Sequence, residues 1–222
     1  MVRSHTSAEV VRLAERPACF QISGFMSAAE SDHLMRAAAS KGLQPAVTAG
    51  GVARPSCGVA WLPVANDAVA SALAAACEQL LLTDAVQAPG PAWAQGGDFE
   101  NMQVLKYDTG QFYRTHHDQN SPLTSAWGPR MYTFFMYLND GEGGGETHFP
   151  RLNISVKPKR GRAVLWPSVL NADPAERDDR TEHEAVTVYK GVKYAANYWL
   201  HMYDFQYANE RGCGNTEVFG NW

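Results

Sequence analysis

The apolar rhythm of the chain changes near residue 100. Before it, two segments place small and apolar residues at helical spacing. "MSAAESDHLMRAAASKG" opens on Ser27 with Glu30 three residues later, the signature of a capping box, and Gly42 supplies a stop. "DAVASALAAACEQLLL" follows Asp67, a good N-cap, and is rich in alanine, so it predicts a second helix. From residue 102 onward the apolar runs are short, aromatic and β-branched: "MQVLKYD", "FYRTHHD", "MYTFFMYL", "THFP", "ISVKPK", "RAVLWPS", "HEAVTV" and "YAANYWLHMYDF". Turn chemistry separates them in "TG", "NDGEGGG", "KRG" and "KG". Many short strands between glycine-rich turns predict a mainly β fold with flanking helices, built on a double-stranded β-helix (jelly-roll) core. The expected organisation is one domain. Its helix-bearing part covers about 1–100, its jelly-roll core about 101–205 and its tail 206–222, with the helices outside the barrel.

Composition narrows the class. The 222 residues are 45% hydrophobic and 11% aromatic, enough for a substantial core, which excludes a disordered or collagen-like chain. Net charge is −4, pI is about 6.0, and no lysine/arginine run occurs, so no nucleic acid or anionic membrane is expected as partner. "AVASALAAACEQLLL" and "MYTFFMYL" are too short or too interrupted to span a membrane. Met1 is not followed by a basic-then-apolar signal segment, so the chain reads as soluble and unaddressed. Cys19, Cys57, Cys77 and Cys213 are widely spaced and form no C-x-x-C, which disfavours a zinc ribbon and leaves two disulfides or buried thiols open.

The chemistry starts in "YRTHHDQN", residues 113–120. On a strand, positions i and i+2 share a face roughly 7 Å apart. His116 and Asp118 can therefore converge on one ion while His117 points away. A third ligand must come from another strand, and His148, His183 and His201 are the candidates. His183 opens "HEAVTV" after the polar loop "NADPAERDDRTE", where a site has room to open. Two histidines and one carboxylate suit non-haem Fe(II) oxygenase chemistry, although the same donors also serve zinc. Lys193 follows His183 across the turn "YKG", which predicts a hairpin returning Lys193 alongside the His183 strand. A lysine directed into a barrel carries a large desolvation penalty unless an anion meets it. A dicarboxylate chelating the metal at one end and reaching Lys193 at the other would be that anion; a place on the solvated rim is the alternative.

The ordered motifs "YDTGQFYRTHHD", "GPRMYTFFMYLND", "GGGETHFP", "VKPKRGRAVLWPS" and "HEAVTVYKGVKYAANYWLH" resemble the prolyl 4-hydroxylase family of Fe(II)- and 2-oxoglutarate-dependent dioxygenases. The resemblance covers about residues 100–205, with weaker echoes in "ISGFMSAAESDHLM" and "RPSCGVAWLP". It implies His116, Asp118 and His183 as iron ligands. It implies Lys193, aided by Tyr107 and Thr147, as the anchor of the distal 2-oxoglutarate carboxylate, with Trp199 walling that pocket. Tyr113 and Arg130 would face a proline-rich peptide, and residues 54–61 would form a mobile loop over it. Fe(II), 2-oxoglutarate and O2 are the expected cofactors and co-substrates, with ascorbate as an accessory reductant, and succinate and CO2 the co-products. The resemblance points to the endoplasmic reticulum and secretory pathway, whereas the lack of a signal segment leaves the cytoplasm open. Two departures, "QNS" after Asp118 and "EAVTV" after His183, fall on the substrate side and around the ligands.

Blander roles stand beside these. Tyr107 and Trp199 also suit a core, Thr147 a plain strand position, and Arg130 a rim ion pair. Cys57 reads as a loop residue. Glu146 and His148 are expected on the face opposite Thr147, and His117 and His201 are second-choice ligands. Tyr113, Tyr132, Trp127 and Trp61 are the aromatics available for a groove that accepts a polyproline II peptide. The competing functions are the same oxidation of another amino acid, a lysyl side chain or a small molecule, a non-catalytic metal-holding jelly roll, and a metal-free interaction domain.

Overall fold

The structure, a computed structural model, describes residues 8–47, 53–83, 99–121 and 124–213. Both expected helices form. α1 (Ala28–Lys41) starts at Ser27, whose hydroxyl accepts from Glu30 N (3.2 Å) while the Glu30 carboxylate accepts from Ser27 N (2.7 Å). It ends at Gly42, whose φ of 80° lies in the region open chiefly to glycine. α2 (Ala68–Leu81) is capped by Asp67, whose Oδ1 accepts from Val69 N and Ala70 N. Asp67 Oδ2 also lies 2.7 Å from His33 Nε2, tying the second helix to the first.

Around them the described residues form fourteen strands: β1 (Glu9–Glu15), β2 (Ala18–Ser23), β3 (Gln44–Val47), β4 (Ala53–Leu62), β5 (Met102–Tyr107), β6 (Tyr113–His116), β7 (Arg130–Tyr137), β8 (Gly143–Gly144), β9 (Thr147–Phe149), β10 (Ile154–Val156), β11 (Ala163–Pro167), β12 (His183–Ala185), β13 (Val188–Lys190) and β14 (Lys193–His201). The major sheet has the order β1-β2-β11-β7-β14-β5-β4-β3 and faces a minor sheet, β10-β9-β12-β6, with β13-β8 as a third pair. This is the jelly-roll core expected from the strand spacing. The N-terminal part does more than carry helices, since β1–β4 extend both edges of the major sheet.

Strand alternation divides the core. Tyr132, Phe134 and Met136 of β7 face the layer that holds α1 and α2, whereas Phe135 and Tyr137 face the minor sheet. Both faces of β7 are covered, and for that reason "MYTFFMYL" is uniformly apolar. The inner phase of β14 carries Lys193, Ala195, Asn197 and Trp199. That of β5 carries Gln103, Leu105 and Tyr107, and that of β4 carries Cys57, Val59 and Trp61. Register places Lys193 opposite Tyr107 and Trp61 opposite Gln103.

Two strand expectations require correction. "HEAVTV" splits into β12 and β13, and the predicted hairpin bringing Lys193 back beside His183 does not form. The edges of β14 are taken by β5 and β7, and β13 pairs with β8 across Gly143 and Gly144. The last strand stops at His201; Asp204 then caps α3 (Phe205–Glu210), accepting from Tyr207 N at 2.8 Å. None of the four cysteines forms a disulfide among the described residues; Cys19, Cys57 and Cys77 are buried and Cys213 is exposed. No helix among the described residues is long and apolar enough to cross a membrane.

Asp67 gives a direct test of the helical layer. Burial works to raise its pKa, but hydrogen bonds from Ala70, His33 and Val69 outweigh that and hold it below the ordinary carboxylate value. Its contribution is therefore present above that ordinary value and disappears as pH falls through the lowered one. Asp67→Ala is expected to cost about 1–2 kcal/mol in denaturant unfolding at neutral pH. The difference from wild type should shrink below about pH 4.

Candidate active site

β6 and β12 are neighbours in the minor sheet, with His183 directly opposite His116. Asp118 lies in the bend just after β6 and not on the strand, so strand alternation is not what aims it. The bend still turns its carboxylate to the same point. One ligating atom from each of His116, Asp118 and His183 lies within 4.8 Å of the others, the only such cluster among the described residues.

The surroundings fix which atoms converge. His116 Nδ1 lies 3.0 Å from the Arg114 carbonyl and His183 Nδ1 3.0 Å from the Thr181 carbonyl. A carbonyl only accepts, so each Nδ1 carries the hydrogen and each Nε2 keeps its lone pair. Those Nε2 atoms stand 3.7 and 3.8 Å from the two Asp118 oxygens. Thr133 Oγ1, on the inner phase of β7, donates to Asp118 Oδ2 at 2.7 Å. Burial would raise the Asp118 pKa, but His183, His116, the Thr133 hydrogen bond and Arg130 together bring it down to about 2. Burial lowers the His183 pKa below its ordinary value, against the pull of Asp118. At neutral pH the cluster therefore offers a carboxylate and a neutral His183 imidazole. A two-imidazole, one-carboxylate set of this kind fits a ferrous ion.

The three residues border a cavity of about 160 Å³ that Tyr107, Tyr113, Arg130, Thr147 and Trp199 also line. Every candidate site residue therefore gathers here except Lys193, whose ammonium lies among the rings of Tyr107, Phe135 and Tyr137, the first two of which line the cavity. Lys193 is 1% exposed, its ammonium is 5.2 Å from the Tyr107 ring and 5.0 Å from that of Phe135, and Nζ has no hydrogen-bond partner among the described residues. Burial brings its pKa down to about 7, against opposing pulls from Glu146 and Cys57. Lys193 stands on the major sheet and His183 on the minor one, so the two approach this region from facing sheets and not from one hairpin.

Several side chains have partners that spacing could not reveal. Arg130 is 6% exposed and makes a paired contact with buried Glu100 at 2.5 and 3.0 Å. Its Nη1 donates to the Asp118 carbonyl (3.2 Å) and Asn120 Oδ1 (3.0 Å), and its guanidinium lies 3.9 Å over the Trp199 ring. The rim ion pair weighed for Arg130 is thus a buried one. His201 belongs to this network, with Nε2 2.6 Å from Glu100 Oε1, and is not part of the His116–Asp118–His183 cluster. His117 holds the loop before His183 through the Asp178 carbonyl (3.0 Å), and His148 faces away toward the Ile154 carbonyl. Tyr137, absent from the sequence candidates, places its hydroxyl 2.7 Å from Thr147 Oγ1. The Tyr113 ring lies tilted against His116 with ring centroids 3.8 Å apart. Of the four expected groove aromatics, Tyr113 and Trp61 line the cavity. Trp127 lines a neighbouring one, and Tyr132 packs into the helix-side core because its strand phase is opposite to that of Thr133. Residues 54–61, expected as a mobile covering loop, lie within β4 and are paired with β3 and β5.

Comparison with known proteins agrees with this geometry. The family model of the 2OG-Fe(II) oxygenase superfamily matches residues 102–201, which hold His116, Asp118, His183 and Lys193. Probable prolyl 4-hydroxylase 7 of Arabidopsis thaliana is 29% identical over 239 residues, covering 94% of this chain and 71% of that protein. Prolyl 4-hydroxylase subunit alpha-2 of Gallus gallus is 37% identical over 123 residues, 54% of this chain, but the match takes in 22% of that subunit's length. The viral collagen prolyl hydroxylase of Paramecium Bursaria Chlorella virus-1, solved as a 2OG complex, superposes with a TM-score of 0.68 at 27% identity, covering 82% of this chain and 94% of that one. A Pseudomonas putida prolyl-4-hydroxylase shares the fold at 22% identity, with a TM-score of 0.61 over 82% of this chain and 92% of that one.

Proposed function

Because the chain belongs to the prolyl 4-hydroxylase family of the 2OG-Fe(II) oxygenase superfamily, we propose that it hydroxylates prolyl residues in proline-rich peptides or proteins, with succinate and CO2 as co-products. One observation carries the chemistry: a buried ammonium without a hydrogen-bond partner among the described residues lies against two rings, Tyr107 and Phe135, of the cavity that bears a two-histidine, one-carboxylate cluster. Such an ammonium has no stabilising role unless an anion arrives.

His116, Asp118 and His183 would hold Fe(II), and Lys193 would meet the distal carboxylate of 2-oxoglutarate. When bound, the iron supplies the oxygen-activating redox chemistry that couples decarboxylation of the 2-oxo acid to C–H hydroxylation. The chain supplies orientation and exclusion of water. Arg114 and Thr181 carbonyls hold the imidazoles, Thr133 holds the carboxylate, and Tyr107, Phe135 and Trp199 keep water from the anion's path. Arg130, fixed by Glu100 and stacked on Trp199, orients the substrate side. The partly exposed rings of Tyr113 and Trp61 suit a polyproline II segment, which loses little entropy on docking.

The test is succinate formation by iron-loaded protein with and without proline-rich peptides, with mass spectrometry of the peptide. Turnover should rise with peptide, and one oxygen should appear on proline. Succinate formation stimulated by lysine, a lysyl peptide or a small molecule but by no prolyl peptide would transfer the chemistry to that substrate. Metal retention without 2-oxoglutarate affinity would reduce the protein to a metal-holding module.

A further inference from the structure

Beside the catalytic cavity lies a second one of about 110 Å³, and Trp61 and Arg130 line both. The partition is held by contacts on both sides. Arg130 is held by Glu100 and lies 3.9 Å over Trp199, and the Trp61 and Trp199 rings are 6.1 Å apart. The far wall is Trp127 against Phe205, with ring centroids 4.9 Å apart. Phe205 opens α3, which stands outside the sheets and is fastened there by Gln206 Nε2 donating to the Phe99 carbonyl at 2.8 Å. Asn101 and Asn209 supply neutral amides. Glu100 also borders the cavity, but both of its oxygens are engaged by Arg130, and one also by His201. The second cavity therefore presents aromatic faces and amides beside a charge pair closed on itself.

We propose that this cavity is a peptide subsite that takes a compact apolar side chain, a pyrrolidine ring or a branched aliphatic, from a residue flanking the one oxidised. The inference rests on the prolyl reading above and adds sequence selectivity to it. Adjacency carries the assignment: Trp61 and Arg130 line both cavities, so a peptide seated in the catalytic one has its neighbouring residue over these two side chains and beside the second. Size sets the class. The cavity is smaller than the roughly 150 Å³ that accommodates benzene in an apolar interior, so a five-membered ring or a branched aliphatic suits it better than an indole. The amides are placed to meet the peptide backbone that any flanking residue brings.

The experiment uses iron-loaded protein and short peptides with a central proline flanked on either side by Ala, Pro, Val or Trp. Hydroxylation rates are followed by mass spectrometry, and binding without oxygen by tryptophan fluorescence. Wild type should favour Pro or Val over Ala at one flanking position by about tenfold in kcat/KM, and reject Trp there. Asn209→Trp, at an exposed position of α3, fills the slot and should bring the Pro-to-Ala ratio close to one. Trp127→Ala should widen the slot and admit the Trp-flanked peptide. An unchanged ratio in Asn209→Trp overturns the subsite. Hydroxylation of prolyl peptides by wild type without any flanking preference also overturns it, while leaving the prolyl reading intact. If no prolyl peptide is bound or hydroxylated, both fall.

Discussion

Lys193→Met is expected to weaken 2-oxoglutarate binding by at least about 100-fold while making the ligand-free protein more stable. The two effects have one cause. In the unfolded chain this lysine titrates near 10.5, whereas burial brings it down to about 7 in the fold. Folding therefore strips the ammonium of water with no hydrogen-bond acceptor in return among the described residues, at a cost on the order of a few kcal/mol at neutral pH. A methionine of similar length fills the space among Tyr107, Phe135 and Tyr137 without that cost.

The pH dependence follows with a definite sign. Between about 7 and 10.5 the unfolded state holds a proton at this position that the folded state does not, so wild-type stability rises with pH across that window. The methionine variant should lack that part of the slope. Binding runs the other way: the anion needs the ammonium, so 2-oxoglutarate affinity should fall as pH rises above about 7, and binding should take up a proton. Thermal melts across pH, with calorimetry in buffers of different ionisation enthalpy, measure both. A variant that melts lower than wild type and binds 2-oxoglutarate equally well would make Lys193 a structural residue only.

Local chemistry was legible in the sequence, and non-local pairing was not. Ser27, Glu30, Gly42 and Asp67 marked both helices because capping is settled within four residues of chain. The uniform run in β7 was readable because both faces of that strand are covered. His116 and Asp118 were correctly brought together, although a bend and not strand alternation aims the carboxylate. The hairpin for Lys193 failed because a turn signal shows where the chain reverses, not which strand takes the vacant edge. β1–β4 escaped notice because their pairing across the major sheet decides their state more than their own periodicity does. Glu100, Thr133 and Tyr137 were invisible as site residues for a related reason. Each acts through a partner on another element, and no spacing rule links Glu100 to Arg130 or Thr133 to Asp118. The resemblance pointed to Tyr107, Thr147 and Trp199, which residue type alone would have assigned to the core and which the structure places in the lining of the cavity.

Asp118→Asn should remove stoichiometric iron and lower kcat/KM by at least about 10³-fold, more than about 4 kcal/mol of transition-state stabilisation. The change is isosteric, and the histidines keep their own anchors on the Arg114 and Thr181 carbonyls, so the loss reports charge and not collapse of the site. The carboxylate also contributes to the metal-free fold. Its pKa is held at about 2 against an unfolded value of 3.8, a contribution present above 3.8 and lost as pH falls through about 2. The same substitution should therefore lower stability by on the order of 2 kcal/mol at neutral pH while leaving a folded protein. Thr133→Val separates holding from ligation: all three ligands remain, but Asp118 Oδ2 loses its donor at 2.7 Å, and metal affinity should fall about 10- to 100-fold without disappearing. Metal analysis after anaerobic loading, beside a melting curve for each variant, ranks wild type, Thr133→Val and Asp118→Asn in that order of iron retention. Full iron retention by Asp118→Asn would place the metal elsewhere and remove the basis for assigning oxygenase chemistry to this cavity.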